Sequence, residues 1–275
     1  MAAVRTAVAS GGRVGLVPTM GAFHEGHLSL IRAARASCDL VVVWLFVNPT
    51  QFNEAADLVA YPRDEDRDAR LAEECGADIL FAPAVEAVYP PGFATTVTVS
   101  GVADVLEGAL RRGHFAGVAT IVAKMLNMVG PEVAFFGAKD AQQVAVVRRM
   151  VADLNIPTRI EVLPIVREPD GLAMSSRNVR LGPDDRRRAT ALHRGLLAAR
   201  SAASEGQRDA AALAQAVESV LAQEGLTAEY VAIVDPDSFQ PLTTLDRPVL
   251  VALATRVGPV RLIDNLLIDP LEVAP

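Results

Sequence analysis

An open, mostly parallel α/β sheet followed by a smaller α+β domain is the fold that this sequence predicts, on three observations. Short β-branched runs alternate with longer helix-patterned segments through the first half, as in a Rossmann-like parallel sheet with helices on both faces. After Pro164 the pattern gives way to a polar, glycine-containing loop and two long helical segments. Three β-rich stretches then follow with no helix between them, which suits a small antiparallel sheet. On this reading residues 1–166 form the first domain and residues 167–275 the second, with the boundary near Val166.

Strands are expected near Val14 to Val17, Leu40 to Val47, Asp78 to Phe81 and Val133 to Phe136. Helices are expected near Leu28 to Ala36, Asp64 to Cys75, Ala116 to Val129 and Ala141 to Leu154, where apolar residues recur at three- and four-residue spacing. Thr95 to Val99 alternates with period two and reads as an edge strand or hairpin arm, set off by the Pro90-Pro91-Gly92 loop. Further on, helical patterns at Asp184 to Ser204 and Ala210 to Glu224 are broken around Glu205-Gly206. Strands are then expected at Tyr230 to Val234, Val249 to Ala254 and Val260 to Leu262.

Composition narrows the class. With 275 residues, 51% of them hydrophobic, the chain can bury a sizeable core, and general disorder is excluded. Lys and Arg number 26 against 33 for Asp and Glu, so the net charge of −7 argues against a protein that wraps nucleic acid. A local anion site remains compatible with it. Two cysteines, Cys38 and Cys75, are too few for a disulfide framework and fit a reducing compartment. The longest clear apolar run, Val41 to Val47, falls far short of the roughly 20 residues that cross a bilayer. The N-terminus shows no apolar signal core, so a cytoplasmic protein without membrane attachment is expected.

The most informative stretch runs from Pro18 through Thr19, Met20, Gly21, Ala22, Phe23, His24, Glu25, Gly26 and His27 to Leu28. It leaves the first predicted strand and enters a helix, so two imidazoles flank a glycine where free backbone N–H groups gather. Ligands of open α/β sheets sit outside the C-terminal ends of strands, and that setting suits a phosphate. Gly26 would let a nucleotide approach the backbone closely. A metal reading is weaker, because His24 and His27 have no Cys and no further His nearby; plain helix capping is the other reading.

Three further turns carry polar groups. In Met174-Ser175-Ser176-Arg177-Asn178 two hydroxyls and a guanidinium can gather around a phosphate, although such runs are also common solvated loops. The segment Phe135-Phe136-Gly137-Ala138-Lys139-Asp140-Ala141-Gln142-Gln143 is a buried strand, a glycine turn and a helix start. Lys139 can neutralise phosphate there, Asp140 can accept from a ribose hydroxyl, and Gln143 points toward the same mouth; a surface lysine and a helix-start aspartate are the bland equivalents. Val47-Asn48-Pro49-Thr50-Gln51-Phe52 ends the most apolar strand with two amides able to bind a hydroxyl or carboxylate, and is equally an ordinary Asn-Pro turn.

Taken together, the His24-Glu25-Gly26-His27 and Met174-Ser175-Ser176-Arg177 elements resemble the two signatures that bracket ATP in nucleotidyl transferases and class I aminoacyl-tRNA synthetases. More narrowly, the four segments, with His114-Phe115-Ala116-Gly117-Val118 also in place, resemble the pantothenate synthetase (pantoate–β-alanine ligase) family from about Arg13 to about Leu181. Phe23 and Thr50 depart from the residues that family would lead one to expect.

The resemblance implies ATP-dependent condensation of (R)-pantoate with β-alanine to pantothenate, AMP and pyrophosphate, through a pantoyl adenylate. It implies that His24, His27, Lys139, Ser175, Ser176 and Arg177 stabilise the phosphates. ATP would also meet Pro18, Thr19, Met20, Gly137, Asp140, Val166 and Met174, with Phe136 near the base or acyl portion. Gln51 and Gln143 would hold pantoate, with Asn48 in the same wall. Mg²⁺ would accompany ATP, and the family draws a carboxylate from the segment matching Asp64-Glu65-Asp66-Arg67-Asp68; Arg67 interrupts that run, so the metal ligand is left unassigned. A homodimer is implied. Two other readings share the ATP site: an adenylyltransferase that leaves AMP on its product, and a nucleotide-binding module without turnover.

Overall fold

The computed structural model describes Thr6, residues 12–53 and residues 55–270; most of the N-terminal segment read as lacking a signal core lies outside these. By packing, the chain splits into two units, Met1–Ala138 with Gln142–Pro164, and Lys139–Ala141 with Ile165–Pro275.

In the first unit β1 (Val14–Thr19), β2 (Leu40–Leu45), β3 (Ile79–Phe81), β4 (Val133–Gly137) and β5 (Arg159–Leu163) form one parallel sheet in the order β3-β2-β1-β4-β5. Its helices are α1 (Glu25–Ser37), α2 (Ala55–Val59), α3 (Glu65–Glu74), α4 (Val85–Val88), α5 (Glu107–Leu110), α6 (His114–Val129) and α7 (Ala141–Asp153), the last beginning in the residues grouped with the second unit. The chain winds outward from β1 to β3, then returns to add β4 and β5 on the other side. Parallel crossovers are right-handed, so reversing the winding reverses the face that the connecting helices cover. The switch point therefore lies between β1 and β4, beyond whose C-terminal ends ligands of such sheets bind.

Successive strand residues face opposite sides, which is why these strands read as unbroken apolar runs. Val17, Val41, Val43, Val133 and Phe135 pack with Leu30, Ile31 and Ala34 of α1. Their neighbours Leu16, Val42, Trp44, Ala134 and Phe136 are buried on the other face. Cys38 and Cys75 are the C-caps of α1 and α3.

The second unit holds α8 (Pro183–Ala189), α9 (Ala191–Ser204) and α10 (Ala210–Gln223), then β6 (Ala228–Val234), β7 (Val249–Val257) and β8 (Val260–Ile268) as an antiparallel sheet ordered β6-β7-β8. Leu192, Leu196 and Ala199 of α9, Leu213, Val217 and Leu221 of α10, and Val249, Val251, Leu253 and Val257 of β7 share one core. No helix among the described residues is long and apolar enough to cross a membrane.

Three local expectations need correction. Thr95 to Val99 forms no strand: the Val97 amide donates to the Thr120 hydroxyl of α6 at 2.9 Å instead of to a neighbouring strand. Strand β5 is absent from the expected set because Arg159 and Glu161 alternate with Ile160 and Val162 on a sheet edge, which disguises it as a polar connection. The expected helix over Asp184 to Ser204 is two helices meeting at Thr190, whose hydroxyl donates to the Arg187 carbonyl at 2.7 Å.

Candidate active site

The loop leaving β1 is built against α3. Thr19 is buried and its hydroxyl donates to the Trp44 carbonyl of β2 at 3.1 Å. Gly21 (φ 83°) and Ala22 (φ 52°) then turn the chain through left-handed conformations, which cost a non-glycine residue about 1–2 kcal/mol. Asp68, 1% exposed, offsets this by accepting from the Ala22 amide at 2.6 Å and the Phe23 amide at 2.8 Å. Successive amides converging on one anion make a nest, and bonds to an ionised acceptor are the stronger kind. Burial pushes the Asp68 carboxyl up, against the pull of those two amides and the Arg67 guanidinium 3.7 Å away. Arg67 also donates to the Phe23 carbonyl at 3.1 Å. The buried carboxylate of the acidic run thus supports the loop.

His24 is the N-cap of α1, and the cap is made by imidazoles. His24 Nδ1 accepts from the Gly26 amide at 3.1 Å, and His27 Nδ1 accepts from the His24 amide at 3.4 Å. The rings lie 4.1 Å apart between centroids. A ring nitrogen that accepts from an N–H carries no proton, so each neutral imidazole holds its proton on Nε2. Two N–H donors are thereby presented together at a helix N-terminus, where negative charge is favoured. Gly26 has a reason beyond the expected close approach of a nucleotide: a Cβ there would lie 2.9 Å from His24 Nδ1 and Cε1, preventing the fold-back.

The turn after β2 is fixed as firmly. Asn48, 1% exposed, caps the 3₁₀ turn Pro49–Gln51. Its Nδ2 donates to Gln51 Oε1 at 3.1 Å and to the Gly117 carbonyl at 3.2 Å. Gln51 Nε2 faces Met20 Sδ at 3.0 Å. The main-chain carbonyl of Gln51 accepts from His114 Nδ1 at 2.8 Å and from Arg111 Nη2 at 3.3 Å, while Arg111 Nη1 sits 3.2 Å from His114 Nε2. Carbonyls only accept and guanidinium only donates, so His114 carries its proton on Nδ1 and accepts at Nε2, the opposite tautomer to His24 and His27. His114 therefore pins the backbone of Gln51. Gly117 is required because a Cβ there would come within 2.6 Å of the Thr50 carbonyl oxygen.

The paired glutamines of α7 divide their work. Gln142, 5% exposed, accepts from the Glu107 amide at 3.1 Å and donates to the Val102 and Val105 carbonyls at 2.8 Å each. Gln143 is half-buried on the same first turn, and Gly137 ends β4 opposite Leu163.

The remaining expected residues lie in the second unit. The Lys139 carbonyl accepts from Asn265 Nδ2 of β8 at 2.9 Å. Beside Asn265, the buried Asp264 carboxylate takes Arg167 in a two-pronged pair at 2.7 and 3.0 Å. Residues 166–174 fold as a hairpin-like turn: Arg167 bridges Ala173, and the Met174 amide donates to the Val166 carbonyl at 3.0 Å. Asp170 at its tip pairs with Arg186 at 2.7 and 3.0 Å, which holds its carboxyl below the usual range. Ser175 Oγ accepts from the Arg177 amide at 3.3 Å, and Asn178 ties back to the Ala173 carbonyl at 3.1 Å.

Within the first unit the fold thus gathers His24 with His27 and Met20 with Gln51 and Asn48; within the second it gathers Val166, Met174 and the Ser175–Arg177 turn. Sequence reasoning missed Asp68 as the loop's support, and Arg111 and Glu107 beside His114. The three- and four-residue spacings of Glu107, Arg111 and His114 were the signal available for that cluster.

Comparison with known proteins adds an independent line. The sequence profile of a family described as pantoate-beta-alanine ligase matches residues 1–267. A pantothenate synthetase of Deinococcus radiodurans is 54% identical over 279 residues, covering 99% of this chain and 98% of its own. That of Heliobacterium modesticaldum is 52% identical over 260 residues, covering 94% and 92%. The crystal structure of pantothenate synthetase from Thermus thermophilus superposes with a TM-score of 0.93 at 47% identity, covering 100% of this chain and 98% of that one. A pantoate-beta-alanine ligase from Francisella tularensis, solved with beta-gamma ATP and beta-alanine, gives a TM-score of 0.79 at 35% identity over 96% of this chain and 93% of its own.

Proposed function

This chain belongs to the pantoate-beta-alanine ligase family, and we infer that it condenses (R)-pantoate with β-alanine at the expense of ATP, releasing pantothenate, AMP and pyrophosphate. The observation that carries the chemistry is the imidazole pair, held with both Nε2–H groups as donors at the start of α1 beyond the C-terminal end of β1.

The pantoate carboxylate attacks the α-phosphorus of ATP, pyrophosphate leaves, and a pantoyl adenylate results. The neutral amine of β-alanine then attacks the acyl carbon, the bond to AMP breaks, and the ammonium proton is lost. No covalent bond to the enzyme is needed. Charge builds on phosphoryl oxygens in the first step, and donors aimed at them lower its barrier. His24 and His27 supply two such donors, and Lys139, Ser175, Ser176 and Arg177 the rest. Pro18, Thr19, Met20, Gly137, Asp140, Val166 and Met174 line ATP. Gln51 and Gln143 hold the pantoate hydroxyl and carboxylate, and Asn48 serves the same wall through its bond to Gln51.

Mg²⁺ accompanies ATP in this reading and neutralises triphosphate charge. This cation keeps several waters and needs few protein oxygens. Among the described residues no group of three or more His, Cys, Asp or Glu gathers as a ready-made site, and Asp68 directs both oxygens to loop amides. The enzyme works as a cytoplasmic homodimer.

The test is release of pyrophosphate and AMP from Mg-ATP. With pantoate alone, pyrophosphate should appear at about one equivalent per site, since the adenylate stays bound. Adding β-alanine should release AMP and start turnover. AMP that stays on the product would favour the adenylyltransferase reading, and absence of any reaction with pantoate would refute the acyl substrate.

A further inference from the structure

We propose that Tyr89 is a positioning residue for the acyl substrate: its phenol fixes the amide of Asn48, which fixes Gln51 with its NH₂ group facing forward. The proposal rests on the reading of Gln51 as a pantoate-binding residue and names what makes it one.

The polarity of the chain follows from groups whose roles admit no choice. The Thr50 amide can only donate, and it faces one atom of the Asn48 carboxamide at 3.4 Å, so that atom is Oδ1. The Gly117 carbonyl can only accept, and it faces the other at 3.2 Å, which is therefore Nδ2. Tyr89 Oη donates to Oδ1 at 2.9 Å, and Thr50 Oγ1 reaches the same oxygen at 3.0 Å. Since Nδ2 donates to Gln51 at 3.1 Å, the Gln51 atom it meets is Oε1, and Nε2 must face the opposite way, toward Met20 Sδ at 3.0 Å. A thioether is a weak acceptor that an oxygen displaces readily.

Gln51 is thereby set to offer donors only. A freely rotating carboxamide would present oxygen or nitrogen alike, and would serve an acyl group carrying a donor as well as one carrying an acceptor. The fixed one selects an oxygen acceptor, such as a hydroxyl oxygen or carboxylate, which is the chemistry of a hydroxy acid.

Tyr89 suits this task because packing sets its ring. It ends α4 as the C-cap, its ring centroid lies 5.1 Å from that of Phe93 and 6.2 Å from that of Phe46, and Lys124 Nζ sits 5.9 Å from it. Burial raises the phenol pKa above its usual value, against the opposing pull of Thr50 and Asn48, so the hydroxyl keeps its proton. Tyr89→Phe should remove one oxygen and leave the ring in place.

The experiment is calorimetric titration of pantoate and of ATP, with thermal melting, into wild type, Tyr89→Phe, Gln51→Ala and the double variant. Tyr89→Phe should weaken pantoate about 3- to 10-fold, the effect of one neutral hydrogen bond, with ATP affinity and melting temperature unchanged. In the Gln51→Ala background Tyr89→Phe should add nothing, because it acts through Gln51. Steady-state assays should show the same split, with the pantoate KM rising and the ATP KM constant. Additive losses in the double variant, equal losses for both substrates, or a silent Tyr89→Phe beside a damaging Gln51→Ala would each overturn the relay. If Gln51→Ala itself leaves pantoate affinity intact, the underlying assignment of Gln51 fails instead.

Discussion

At the scale of single residues, His24 caps α1 through Nδ1 and, in the proposed mechanism, donates to phosphate through Nε2–H, and substitution can separate the two. Asparagine at position 24 keeps an acceptor of the kind preferred at N-caps while removing the Nε2–H group. His24→Asn should therefore melt close to wild type, yet lose about 100-fold or more in the single-turnover rate of pyrophosphate release. His24→Ala should lose that rate and also about 1 kcal/mol of stability, because it removes the cap as well. A His24→Asn enzyme with an unchanged rate would take this imidazole out of the chemistry. Residue identities were legible from the motifs, whereas their orientations were not. Nothing in Gln142-Gln143 says which glutamine is buried, and nothing in His114 reveals that it holds the Gln51 carbonyl; both depend on contacts far apart in the chain.

For elements, the start of α3 matters through one carboxylate. An asparagine at position 68 would turn an NH₂ group toward one of the two amides of the Met20–His24 loop, leaving a donor facing a donor. Asp68→Asn should cost about 1–3 kcal/mol in chemical denaturation and lower the adenylation rate even where folded. Unchanged unfolding and rate would show that the loop holds its left-handed turn without the nest. On α9, His193 has its imidazole pKa pushed down, first by burial and next by Arg167. The unfolded chain then takes up the proton first, so the stability this residue contributes is present above its usual 6.5 and is lost as pH falls through the folded value. Melting curves from neutral to mildly acidic pH should drop less steeply for His193→Gln than for wild type, and parallel curves would refute this. Buried strands announced themselves by unbroken apolar runs, while β5 at the sheet edge and the Thr95–Val99 stretch misled because partners, not composition, decide what pairs.

For the molecule as a whole, the order of the motifs along the sequence already carried the two-part architecture and the parallel sheet. What it lacked was the way packing divides the chain, with Lys139–Ala141 grouped with the later segment although they join β4 to α7. Self-association is a prediction at this scale: sedimentation at micromolar concentration should give twice the 29.1 kDa of the chain, and a single-chain mass would dismiss the dimer.

The bond from Asn265 to the Lys139 carbonyl couples the middle of the chain to its far end. During synthesis the parallel sheet can form while the ribosome is still translating the helices that follow. The lysine turn cannot receive its strut until β8 has left the exit tunnel. A polypeptide interrupted between β5 and β8 has every strand of the parallel sheet but lacks the bond to the Lys139 carbonyl, so under the proposed mechanism the lysine turn is completed only by the last strand of the fold.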